Sequence, residues 1–127
     1  MSKKTYRVKE DWKDYEVILE VDHDLLTPEL ATQINQFWND DDERLEAENG
    51  NPVKAVIRLA GTVLMQEMLA VGGASFSKSD DNSTTYWAEW LASQEGWPPL
   101  EVLGIRCIDA DVLTPDFEDV ELTEITA

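Results

Sequence analysis

Tyr15-Glu16-Val17-Ile18-Leu19-Glu20-Val21-Asp22 decides the fold class. Its period is two: Tyr15, Val17, Leu19 and Val21 fall on one side, and Glu16, Ile18, Glu20 and Asp22 on the other. That is the pattern of a half-buried strand. Residues 5–8 alternate in the same way. If Tyr6 and Val8 join the apolar set, Thr5, Arg7 and Lys9 share the outer face with Glu16 and Glu20. Opposite charges facing each other across strands contribute ~0.2–1 kcal/mol each. The basic N-terminus is therefore expected to be one strand of a hairpin, neutralised by its neighbour, and need not be a patch for nucleic acid.

Helical signals follow. Thr27-Pro28-Glu29 offers a Thr N-cap, a Pro at the first helical position and an acid in the first turn. Leu30, Ile34, Phe37, Trp38 and later Leu45 keep helical spacing, so this helix either reaches Asn49-Gly50 or breaks near Asn39. Asn51-Pro52 repeats the start signal. Residues 53–71 are apolar nearly all round, which marks a central helix buried on most sides, and Gly72-Gly73 closes it. Residues 74–82 read as a polar loop. Ser83 or Thr84 starts a third helix with Tyr86, Trp87, Trp90 and Leu91 on one side; Gly96 stops it, and Trp97-Pro98-Pro99 forms a rigid connection. Residues 103–108 are a candidate third strand. From Asp109 the chain alternates weakly through Phe117, Val120, Leu122 and Ile125, which fits either an edge strand or a disordered tail. The order predicts a single α+β domain over residues 1–127: an N-terminal β-hairpin plus a later strand in a small antiparallel sheet, with about three helices packed on one face.

Charge narrows the function. The 127 residues carry 27 Asp and Glu against 10 Lys and Arg, a formal net charge of −17. Residues 1–14 hold a net +2, so the remainder holds −19. Small soluble domains usually work at a charge magnitude of roughly 2–8. Nucleic acid and anionic membrane are poor partners for such a surface, because the electrostatic term has the wrong sign. A basic protein surface is the natural partner. With 43% hydrophobic residues and five Trp the chain is too apolar for a disordered acidic tail. Residues 1–6 lack the apolar run of a signal peptide, and no segment reaches the ~18 apolar residues of a membrane span; a cytoplasmic protein is expected.

Enzyme signatures are sparse. His23, the only histidine, lies between Asp22 and Asp24, where carboxylates would raise its pKa; a loop role is the simpler reading. Cys107 is the only cysteine, which rules out an internal disulfide or a cysteine-built zinc site, and its apolar strand context reads as packing. Calcium-loop spacing fails from Asp80, where Thr85 replaces the required Gly and Leu91 the closing Glu. Asn82-Ser83-Thr84 matches a glycosylation acceptor without a secretory context, and Gly72-Gly73 lacks the Gly-Lys of a phosphate loop. No catalytic residue, metal site or cofactor is expected.

What remains is the acidic surface. Asp40-Asp41-Asp42-Glu43 with Glu46 is broken only by Arg44, while Asp109 and Asp111 head a C-terminal stretch with no base at all. Helical carboxylates at i, i+3 and i+4 lie roughly 5–6 Å apart, close to the phosphate spacing of a nucleic-acid strand. Asp42, Glu46 and Asn49, or Glu43 and Glu46, form such a face if the first helix continues. The candidate partner-binding set is therefore Asp40, Asp41, Asp42, Glu43, Glu46, Asp109 and Asp111. An aromatic alternative uses Trp12, in the hairpin turn, and Trp97, because Trp is enriched at binding hot spots. An acidic coat can also serve solubility alone.

The runs Asp11-Trp12-Lys13-Asp14, Glu20-Val21-Asp22-His23-Asp24, residues 27–38, Ala55-Val56-Ile57-Arg58-Leu59-Ala60, Gln94-Glu95-Gly96-Trp97-Pro98-Pro99 and Gly104-Ile105-Arg106 carry a resemblance. Together they resemble a family of small acidic proteins of bacteriophages and prophages, catalogued as a domain of unknown function. The resemblance spans most of residues 6–111 and is least marked over residues 75–85 and beyond Asp111. It implies an accessory protein of a bacterial host's cytoplasm. Several unrelated phage accessory proteins inhibit host defences by mimicking nucleic acid, so the resemblance favours an inhibitor of a host defence or DNA/RNA-binding protein.

Overall fold

The hairpin forms as its alternation requires. In the computed structural model, which describes residues 3–11, 13–115 and 117–125, β1 (Lys3–Lys9) and β2 (Glu16–Asp22) pair antiparallel, with Tyr6 opposite Leu19 and Val8 opposite Val17. Val17, Leu19 and Val21 are fully buried. On the other face Lys3 stands opposite Asp22 and Lys9 opposite Glu16, and Arg7 Nε reaches Glu16 Oε2 diagonally at 3.4 Å.

β3 (Gly73–Phe76) and β4 (Ile105–Leu113) complete a four-stranded antiparallel sheet in the order β1-β2-β4-β3. Two expectations are corrected here. Residues 73–76 form a short edge strand on β4 where a polar loop was expected. Residues 109–113 are neither an edge nor a tail; they continue β4, which is interior to the sheet. The reason is a bulge. Leu19 pairs with Cys107 and Ile18 with Asp109, so Ile108 is an extra residue in β4. The buried set switches from Ile105 and Cys107 to Ala110 and Val112, which makes the alternation seem to end at Ile108.

Among the described residues five α-helices form rather than about three. α1 (Pro28–Phe37) is capped by Thr27, whose Oγ1 accepts from the Leu30 N–H at 3.3 Å. The chain then breaks at Trp38, and a separate α2 (Asp41–Ala47) follows Asp40, whose φ is +67°. α3 (Pro52–Ala70) is capped by Asn51. α4 (Asp81–Ala92) starts ahead of Ser83 because Asp80 is the N-cap, and α5 (Leu100–Leu103) follows Pro98-Pro99. α3 is the centre of the molecule: it lies against α1 and all four strands, and its Val56, Ala60, Leu64 and Met68 are at most 1% exposed. α4 packs against β4 and α5. Among the described residues no helix is long and apolar enough to cross a membrane.

Candidate functional site

The acidic run is displayed by a corner between α1 and α2, and the corner is built from two polar residues. Asn35 is the third residue from the end of α1 and is only 3% exposed. Its amide Nδ2 donates to the Asp41 carbonyl at 3.0 Å. Arg44 comes back from α2: Nε donates to Asn35 Oδ1 at 2.7 Å, Nη2 to the Asn35 carbonyl at 2.8 Å and the Trp38 carbonyl at 3.3 Å, and Nη1 to the Asn39 carbonyl at 2.7 Å. The Asn35 carbonyl, which also accepts from the Trp38 N–H at 3.4 Å, lies in the last turn of α1, and Trp38 and Asn39 follow directly, so the guanidinium sits at the helix's negative end, where a cation is favoured.

The one base in the acidic run is thus turned inward. Among the described residues Asp40, Asp41, Asp42, Glu43 and Glu46 have no ion-pair partner, whereas Glu48 pairs with Arg58 at 3.0 Å. Asp40, Asp42, Glu43 and Glu46 are exposed and Asp41 is half-buried. Asp42 with Glu46, and Glu43 with Glu46, keep their helical spacing on α2. Asn49 does not extend that face, because α2 ends at Ala47 and Asn49 sits in a turn with φ +58°.

The structure does not bring Asp109 and Asp111 to this corner. They project from β4 on the outer sheet face, with Asp111 opposite Glu16 and Asp109 opposite Ile18, while α2 packs on α1 and α3 above the buried face. Trp97 is 7% exposed and belongs to the core, so the aromatic alternative loses it; its ring is held where Gly96 (φ +89°) lets Phe37 and Trp38 approach. Trp12 lies outside the described residues.

His23 and Cys107 are placed as packing and loop groups. His23 Nε2 is 2.8 Å from the Tyr6 hydroxyl. Cys107 is buried, and burial pushes its thiol pKa up to about 12. No group of three or more His, Cys, Asp or Glu among the described residues is placed to hold a metal ion. Asn35 and Arg44 were missed by sequence reasoning. Their signals are an Asn on the core side of an amphipathic helix and a lone Arg inside an acidic run.

Comparison with known proteins adds the lineage. The family model described as protein of unknown function (DUF2528) matches residues 16–122. The chain belongs to the DUF2528 family. Among its relatives are the protein ea10 of Escherichia phage lambda and the lambda prophage-derived protein ea10 of Escherichia coli O6:H1 (strain CFT073); each is 36% identical over 115 residues, covering 85% of this chain and 84% of the relative. No solved structure matches. The DUF2528 match runs through residues 75–85 and continues past Asp111 to Leu122. It includes every candidate carboxylate and begins at the first residue of β2.

Proposed function

We propose that this DUF2528 protein is a phage-type accessory protein that acts by binding a basic protein surface, its α1–α2 corner standing in for nucleic acid. The inhibited partner is then a host defence protein or another DNA- or RNA-binding protein. The observation that carries the reading is the inward Arg44: it braces the corner and leaves five neighbouring carboxylates with no ion-pair partner among the described residues. Braced negative charge at helical spacing offers a basic groove a row of anions at little ordering cost. The phage and prophage relatives support the setting, and nothing in their names assigns an activity. No catalytic role is assigned to any residue.

The test is capture of bacterial proteins by the full chain at ~0.1 M and ~0.5 M salt, because screening weakens a contact made by exposed charges. The proposal expects a nucleic-acid-binding protein that elutes at the higher salt and is displaced by DNA or RNA. The variant Asp40→Asn, Asp41→Asn, Asp42→Asn, Glu43→Gln, Glu46→Gln then fails to capture it. A salt-resistant partner indifferent to nucleic acid and to this variant overturns mimicry. Empty capture at both salts leaves the charge as a solubility device.

A further inference from the structure

The few bases of this acidic chain are not scattered. Two adjoining cavities of about 410 and 610 Å³ run between β1 and α3 and share Val8, Lys9, Asp11 and Arg58. Arg7, Lys9, Lys13, Lys54 and Arg58 line them, which is half of the ten Lys and Arg in a molecule of net −17. Lys13 and Lys54 have no ion-pair partner among the described residues. The floor is apolar, with Val8, Ile57, Met65 and Leu69. Beside it β1 is the outermost strand of the sheet, and no described strand pairs with its free side. Alternate residues of such an edge point their N–H and C=O groups away from the sheet.

One segment of the same chain has the opposite chemistry. Phe117, Val120, Leu122 and Ile125 are 90%, 59%, 100% and 91% exposed, interleaved with Glu118, Asp119, Glu121 and Glu124 and with no base. Four large apolar side chains left in water at the end of one chain are an unusual expense unless something covers them. Residues 117–119 form a 3-10 turn in the single chain; in an extended conformation Val120 and Leu122 face one way, flanked by Glu118 and Glu124, and Glu121 faces the other, flanked by Asp119. The stretch Val120-Glu121-Leu122 is the complement of β1, where Tyr6 and Val8 face α3 while Arg7 and Lys9, at the rim of the groove, face outward.

We propose that the C-terminal segment of one copy adds as a strand to the free edge of β1 in a second copy, seating Val120 and Leu122 in the groove against α3 and Glu121 beside Arg7 and Lys9 on the outer side. Residues 114–125 at about 3.3 Å each span roughly 40 Å, enough to reach a neighbour. In its own chain the segment leaves from β4, with β2 lying between β4 and β1, and its apolar side chains stay exposed. A two-fold exchange fills one groove and covers one segment in each copy. The groove's five bases outnumber its three acids, Glu10, Asp11 and Glu48, so the −5 segment of residues 114–125 lands on the least negative part of a −17 chain. This inference does not depend on nucleic-acid mimicry.

Sedimentation velocity of the full chain at ~0.15 M salt, from ~1 to ~300 µM, should show a concentration-dependent dimer. Lys13→Glu with Lys54→Glu in the groove, or Val120→Ser with Leu122→Ser in the tail, should each raise the dimer Kd by about tenfold or more. Neither change threatens the fold. Lys54 is exposed at the third position of α3, where Glu suits a capped helix start, and the tail residues are outside the core. Mixed in equal amounts, the two variants should dimerise more than either alone, because the mixture restores one intact groove and one intact tail. Monomer at every concentration, or a dimer that neither variant weakens, overturns the proposal. So does a monomer whose tail amides are protected from hydrogen exchange until the groove is changed, since the segment then folds onto its own chain.

Discussion

Arg44 Nε donates to Asn35 Oδ1 at 2.7 Å, and its Nη2 donates to the Asn35 carbonyl at 2.8 Å. One guanidinium thereby joins the end of α1 to α2 and holds in place a buried amide that has its own bond to the Asp41 carbonyl. The planar fork is suited to this, because several donors are aimed at once. The acidic display therefore has a basic residue as its brace.

Arg44→Ala leaves Asn35 buried with an unmet acceptor and uncaps the end of α1. A loss of about 2–3 kcal/mol is expected, read from the urea midpoint of unfolding. Arg44→Lys should recover less than half of it, since an ammonium cannot reach Asn35 and Asn39 in the same geometry.

Gly61 is where α3 passes over β1: a Cβ there would lie 2.6 Å from the Val8 side chain. Gly61→Ala should cost about 1–3 kcal/mol by overpacking. Combined with Val8→Ala it should cost less than the two single changes together. A double-mutant cycle on unfolding free energies measures this coupling, and strict additivity contradicts the contact.

The Cys107 thiol, raised by burial from 9.0 to about 12, keeps its proton in the folded state where the unfolded chain loses it. Its contribution is whole below pH 9.0 and is lost as pH climbs towards 12, at up to about 1.4 kcal/mol per pH unit. Stability measured from pH 8 upward should fall more steeply for the native chain than for Cys107→Ala, about one such slope apart. A thiol reagent at neutral pH should label Cys107 only on unfolding.

The Asp80 carboxyl is held below its ordinary 3.8 by the Ser83 N–H first and the Ser83 hydroxyl second, at 3.1 and 2.9 Å. A lowered acid stabilises the fold above its unfolded pKa and ceases to do so as pH falls through the folded one. Asp80→Ala should speed hydrogen exchange at the start of α4 at neutral pH. The difference from the native chain should vanish under acid conditions, where the native carboxyl is itself protonated.

The hairpin was legible because its evidence is local. Val17, Leu19 and Val21 announce a buried side by spacing alone, and two bases of β1, Lys3 and Lys9, stand opposite acids of β2. The starts of α1 and α3 were legible for the same reason, each carrying a capping side chain directly before a proline. β3 was not. Gly73-Ala74-Ser75-Phe76 has too little apolar content to read as a strand, and it is one only because the far end of β4 offers it partners. The bulge at Ile108 hid the second half of β4, since one inserted residue reverses which side chains count as inward.

By itself the sequence determined the α+β class, the apolar and charged faces of the hairpin, the main helix starts and the sign of the surface, all properties of spacing and composition within a few residues. Tertiary structure alone decided where those pieces point. It separated Asp109 and Asp111 from the α2 carboxylates, because alternation on β4 turns them to the outer face while α2 packs on the helical side. It buried Trp97, turned Arg44 inward, and gathered Arg7, Lys9, Lys54 and Arg58 from a strand and a helix more than forty residues apart into one groove. A side chain's direction depends on what its element packs against, and that partner lies far away along the chain.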